Sequence, residues 1–151
     1  MPVITADILI TGIRRDPIMH WLEKPENQSR ILESAFDRVI PTNPGSWEVS
    51  FSAGPLSRSM GYEFLTVDDA HGGRRVRFKT TGRRTQGSLT FSLRTVKPPS
   101  NTMVTLHHDY TPGRVIGAVL DVALARTALE ESWKRVLENL RREVEQDAPQ
   151  G

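Results

Sequence analysis

Cysteine is absent from the 151 residues. That excludes disulfides and cysteine-ligated metal centres, and it fits a reducing cytoplasm. Long apolar runs are lacking too. The most apolar stretch, Val115 to Ala125, contains Asp121 and falls far short of the roughly 20 residues that span a bilayer. Met1 to Ala6 has neither the basic start nor the apolar centre of a signal peptide. Neither sign of charge dominates: 20 basic against 18 acidic side chains leave a formal charge of +2, which does not by itself argue for nucleic acid. There is no HExxH, no G-x-S-x-G elbow and no phosphate-binding glycine loop. No metal, no cofactor and no activated nucleophile are therefore expected.

What is present is an ordinary globular composition, with 37% hydrophobic and 25% charged residues, long enough for one substantial core. A single domain over residues 1–147 is expected, followed by a disordered tail at 148–151. Val3 to Ile10 alternates, with Ile4, Ala6, Ile8 and Ile10 on one side, and reads as a first strand. Asp16-Pro17 is a helix-start signal, with the acid as N-cap and proline at the first helical position. Ile18, Trp21 and Leu22 share a face of that short helix. Pro25 interrupts it, and residues 26–33 form a second turn or short helix.

From Phe36 to Tyr110 the period changes to two. Trp47, Val49 and Phe51 alternate with polar residues, as do Met60, Tyr62 and Phe64, and then Val76 and Phe78. Leu89, Phe91 and Leu93, and later Val104, Leu106, His108 and Tyr110, repeat the pattern. The breaks between runs are turn-like and too short for helical crossovers, so the sheet is antiparallel, covered on one face and wet on the other. If residues 68–73 form a hairpin, Glu63 faces Arg77 or Lys79 on the outer surface.

Pro112-Gly113 ends the last strand, and a helix follows from Arg114 to about Gln146. Its second half carries a narrow stripe of Leu129, Trp133, Val136, Leu137, Leu140 and Val144, opposite the i,i+4 pairs Glu130–Lys134, Glu131–Arg135 and Glu138–Arg142. Its first half is apolar nearly all round, and needs a further partner or a ligand.

This order of elements resembles the START-like superfamily, the group of polyketide cyclases, lipid-transfer domains and coenzyme Q-binding proteins, and its bacterial-type members in particular. Asp16-Pro17 with Trp21-Leu22 and Pro25-Glu26-Asn27 carries the resemblance, as does the strand end from His108 to Gly113 with the helix it feeds. The resemblance implies an α+β helix-grip fold: a curved antiparallel sheet of about six to seven strands, two short helices and one long C-terminal helix over an internal cavity. It also implies an apolar or amphipathic ligand of lipid, polyketide or aromatic type.

The candidate ligand-binding residues are Trp21, Phe51, Tyr62, Phe64, Phe78, Phe91, Leu106, His108 and Tyr110, with Val119, Leu120 and Ala123 as the roof. His108 shares the apolar parity of its strand, so it reads either as a polar anchor or general acid/base, or as a buried histidine held by a neighbour. His107 points to the opposite face, so the two cannot chelate one ion from a regular strand. Trp21 reads as a gate at the cavity mouth or as packing. The Val115–Ala125 segment reads as the cavity roof or as a homodimer interface. Arg75, Arg77 and Lys79 have the outward parity, beside Arg83 and Arg84 in a turn. They form a solvated face, or a patch for nucleic acid or anionic membrane. Three functions follow: a small-molecule carrier, a cyclase or dehydratase using the same cavity, and a regulator binding a macromolecule through the basic face.

Overall fold

The computed structural model describes residues 3–70, 73–82, 85–96, 100–111 and 119–147, without the side chains at 56, 70 and 119–121. Seven strands form one antiparallel sheet: β1 (Val3–Ile10), β2 (Arg38–Asn43), β3 (Ser46–Ala53), β4 (Leu56–Ala70), β5 (Gly73–Thr81), β6 (Gln86–Val96) and β7 (Asn101–Thr111). Their order is β1-β7-β6-β5-β4-β3-β2, a meander from β2 to β7 with β1 returned to the far side of β7. Helices α1 (Arg15–Glu23) and α2 (Pro25–Leu32) lie between the first two strands in sequence, and α3 (Val119–Asp147) closes the concave face. This is the expected helix-grip architecture. The expected start of the last helix at Arg114 lies outside the described residues.

Strand parity is observed as read. Ile4, Ala6 and Ile10, then Trp47, Val49 and Phe51, then Val76 and Phe78 all turn inward and are buried. So do Leu89, Phe91 and Leu93, and Val104, Leu106, His108 and Tyr110. Glu63 pairs with Lys79 in the register, as the hairpin argument requires. The hairpin itself is longer than expected, because β4 continues to Ala70 and carries Asp68 and Asp69 as strand residues. A bulge between Phe64 and Thr66 makes this possible. It leaves Leu65 49% exposed and resets the alternation, so that Val67 rather than Thr66 pairs with Val76.

The helix starts differ in detail. Arg14 occupies the N-cap of α1 and makes no side-chain cap bond, so Asp16 sits inside the first turn, where its charge suits the helix dipole. Pro25 is the first residue of α2 and needs no amide partner there. The carbonyls left at the end of α1 are taken by α2: Asn27 Nδ2 donates to Trp21 O at 3.0 Å and Gln28 Nε2 to Leu22 O at 2.7 Å. The end of α2 is closed in turn by α3, where buried Asn139 Nδ2 donates to Ile31 O and Glu33 O. Ser34, at φ 65°, completes that end in the left-handed conformation.

On the back of α3, Glu130 accepts from Arg126 at 3.0 Å, one turn before the expected Lys134, and Arg142 Nη2 donates to Asn139. The buried stripe is the one read from the sequence, with Leu129, Trp133, Val136 and Leu140 fully buried.

Gly87 marks the tightest approach in the sheet. It pairs with Tyr110, and a Cβ there would fall inside the carbonyl of Asp109 and 2.7 Å from Tyr110 Cα. Backbone cannot yield as a side chain can, so Gly87→Ala is expected to cost more than about 2 kcal/mol in urea denaturation. Gly12→Ala, strained in backbone at φ +78° but open in space, is expected to cost about 1 kcal/mol. Equal losses at the two sites would contradict this packing.

Candidate functional site

The inner face is crossed by a seam of rings. Trp47, Tyr62, Phe78 and Phe91 follow one another across neighbouring strands, with Tyr62 stacked on Phe78 at 4.4 Å between centroids. Trp133 descends from α3 into this seam, edge-on to Phe36 at 5.3 Å and to His108 at 5.5 Å. Phe64 is half-buried at its margin, edge-on to Phe78. Phe91 and Leu106 form a register pair and are fully buried.

Of the polar candidates Tyr62, His108 and Tyr110 on this apolar layer, the protein satisfies two. Tyr62 Oη donates to Gln28 Oε1 at 3.0 Å, and burial raises its pKa well above the usual tyrosine value. His108 has both ring nitrogens engaged. The Trp133 indole can only donate, so its 3.1 Å contact makes His108 Nδ1 the acceptor. The ring proton then sits on Nε2 and faces Thr80 Oγ1 at 3.1 Å, and the Thr80 hydroxyl donates on to Thr85 O at 2.6 Å. The imidazole is neutral in this chain. Burial, the largest cause, pulls its pKa down from 6.5 to about 4, against a smaller upward pull from the Thr85 backbone.

Tyr110 is the third. Its ring lies 4.8 Å from that of His108, and its Oη is buried with no hydrogen-bond partner among the described residues. Burial raises its pKa, with smaller opposing effects from the Arg126 and Glu130 charges on α3. Tyr110 therefore lies under the first half of α3, which spans the sheet at this end. Arg126 reaches Val3 O at 3.1 Å on one side, and Leu124 lies against Gly54 on the other. Arg58 has the inner parity at the same end, opposite Phe51 and two residues from Met60. Beside the Gly54-Pro55 turn Ser57-Arg58-Ser59 has the look of a connection, but β4 begins at Leu56 and its alternation places Arg58 on the apolar side.

The remaining candidates do not gather there. Trp21 Nε1 donates to Asp147 Oδ2 at 3.0 Å, beneath the Arg30 guanidinium at 5.6 Å. Arg30 also holds Asp147 at 2.6 Å and pairs with Glu143. Asp147 ends α3, so Trp21 and Tyr110 mark opposite ends of the helix, about 30 Å apart along its axis between residues 126 and 147. Ala123 is exposed, and the side chains of Val119 and Leu120 lie outside the described residues, as does the Val115–Ala118 part of the expected roof.

The outer basic segment is internally paired. Arg75 meets Asp68 at 2.7 Å, Arg77 meets the same carboxylate at 3.7 Å, and Arg74 bridges Asp69 and Asp16. These pairs involve Asp68, Asp69 and Asp16, while Glu63 stands opposite Lys79 in the register. Arg83 and Arg84 lie outside the described residues. Among the described residues no group of three or more histidine or acidic side chains gathers to hold a metal, and no helix is long and apolar enough to cross a membrane.

No family model matches the sequence, and no curated protein matches it. Solved structures do match. A protein from Thermus thermophilus superposes with a TM-score of 0.67 at 16% identity, over 98% of this chain and 100% of that one. The Zhui aromatase/cyclase from Streptomyces sp. R1128 gives 0.63 at 12% identity, over 98% and 96%. The Aha1 dimer from Colwellia psychrerythraea gives 0.56 at 14% identity, over 93% and 94%. At these identities the likeness is one of fold: a seven-stranded antiparallel sheet closed by a long C-terminal helix.

The neutral state of His108 has a measurable consequence. The unfolded chain takes up the imidazole proton near pH 6.5, whereas the folded chain resists it to about pH 4. This contribution to stability is complete above pH 6.5 and is lost as pH falls towards 4, by about 3 kcal/mol. Thermal unfolding of His108→Gln is expected to lack that part of the slope. Parallel pH profiles for the two proteins would rule the assignment out. Trp133→Phe, which leaves Nδ1 buried without a donor, is expected to cost about 1–3 kcal/mol by denaturation in addition to lost packing.

Proposed function

We propose that the protein binds an apolar or amphipathic small molecule, of lipid, polyketide or aromatic type, between the concave face of the sheet and the first half of α3. The observation that carries this reading is the Tyr110 hydroxyl, buried and without a hydrogen-bond partner among the described residues. A buried hydroxyl left unpaired costs about 1–3 kcal/mol, which a carbonyl or hydroxyl of a bound molecule would offset. The contrast with Tyr62 and His108 strengthens it, since the protein satisfies both of those internally. Phe51 and Leu124, with the roof residues Val119, Leu120 and Ala123, are the proposed apolar contacts.

In this reading Phe78, Phe91 and Leu106 form the floor and packed core beneath the ligand, and Trp21 pins α1 to the far end of α3. His108 acts as a positioning group for Trp133 and Tyr110. A cytoplasmic carrier is the setting that fits a chain without cysteine. The fold shared with an aromatase/cyclase supports a second reading, in which the same cavity holds a reactive chain. Tyr110, kept protonated by burial, would then be the acid in place of His108. The pairing of Arg75 and Arg77 with Asp68 lends no support to a macromolecular partner on the outer face.

The test uses prodan, an apolar naphthalene dye whose ketone can accept from Tyr110. Wild-type protein is expected to blue-shift its emission, and Tyr110→Phe to weaken binding about tenfold without loss of thermal stability, because no hydrogen bond to the described residues is removed. Dye that stays unbound with the wild type, or equal affinity in the variant, would defeat the proposal. Native mass spectrometry of the undenatured protein is expected to show a copurifying hydrophobic compound.

A further inference from the structure

The two edges of the sheet are unlike. β2 is a six-residue strand that carries Pro41 and a register shift between Pro41 and Asn43, both of which blunt an edge. β1 has eight residues, no proline and a regular register of eight pairs with β7. Among the described residues no strand covers its outer side. Val3 turns its carbonyl away from β7 to the Arg126 guanidinium. By strand alternation Thr5, Asp7 and Leu9 present their amide and carbonyl groups along that same open side. A groove of about 490 Å³ runs beside the edge, between Thr5–Ile8 and Lys134, Leu137, Glu138 and Arg141 of α3.

The sequence of β1 reads alike in both directions. Taken antiparallel about Ala6, Val3 meets Leu9, Ile4 meets Ile8, Thr5 meets Asp7 and Ala6 meets itself. Apolar residues face apolar residues, and the one polar pair joins a hydroxyl donor to a carboxylate. The pairs Val3–Leu9 and Thr5–Asp7 are also the ones whose backbone groups lie on the outer side of β1, where Arg126 already holds the Val3 carbonyl. Sequence and backbone thus select the same register. The groove complements itself in charge, with Lys134 and Arg141 balancing Glu138 and Asp7, so two copies meet without net repulsion. Leu9, 40% exposed in the single chain, gains an apolar neighbour.

We infer that a second copy of the chain pairs with this edge, β1 against β1 about a two-fold axis through Ala6, to make one continuous sheet of two subunits. An isologous contact of this kind closes on itself and removes both exposed edges at once.

Sedimentation velocity over a concentration series is expected to show a reversible dimer. Thr5→Asp places carboxylates opposite each other twice per dimer and is expected to weaken it at least about tenfold, whereas Thr5→Lys, opposite Asp7, tightens it at low salt. Position 5 is exposed on the outer face, so both variants keep the fold, which circular dichroism checks. Amide exchange is expected to slow at Thr5, Asp7 and Leu9 as concentration rises. A monomer at every concentration would overturn the inference. So would a dimer indifferent to both substitutions, or one in which those amides stay unprotected.

Discussion

The indole N–H of Trp133 is a buried polar group on α3 that the inner face of the sheet must accommodate. It is fully buried, so its proton needs an acceptor inside the protein, and His108 Nδ1 is that acceptor. Much follows from this bond. It sets the imidazole tautomer, which sends the other ring proton to Thr80 and from there to the Thr85 carbonyl. It fixes the depth of the helix, because the ring contacts Phe36, Tyr62 and His108 from a single rotamer. A histidine held neutral in this way is a structural acceptor, and the sheet under α3 is organised around it.

The molecule has two chemically different ends along α3. At the C-terminal end, polar groups are satisfied many times over: Asn27, Gln28 and Asn139 close helix ends, and Arg30 joins Trp21, Glu143 and Asp147. At the N-terminal end the Tyr110 hydroxyl is buried without a partner among the described residues, and Arg58 stands on the inner face. Among the described residues the two ends thus differ in how fully their buried polar groups are satisfied, with the Tyr110 hydroxyl unmet at the N-terminal end.

Much of this architecture was legible in the residues. Alternation placed Trp47, Phe51, Phe78, Phe91 and Leu106 inside, and it placed Glu63 opposite Arg77 or Lys79, of which the register has Lys79. It misjudged the far half of β4, because the bulge at Leu65 inserts one residue and shifts the parity that follows. A leucine on the wet side of a strand is the trace such a bulge leaves, but one exposed apolar residue is too common to announce it. The ion pairs of the outer face then follow the shifted register, to Asp68 instead of Glu63.

The candidate site was half legible, and the division has a physical cause. Side-chain direction along a strand or helix depends on neighbours one to four residues away, so the sequence determined which groups face inward: Tyr62, His108, Tyr110 and, unnoticed, Arg58. Whether an inward group is already satisfied depends on residues far along the chain. His108 meets Trp133 across 25 positions, Tyr62 meets Gln28 across 34, and Trp21 meets Asp147 across 126. Only the tertiary structure decided that Trp21 belongs to the far end of the helix, that His108 is fully engaged, and that Tyr110 is left with a hydroxyl to offer. Hydrogen-bond satisfaction is a property of the closed fold, and no local pattern contains it.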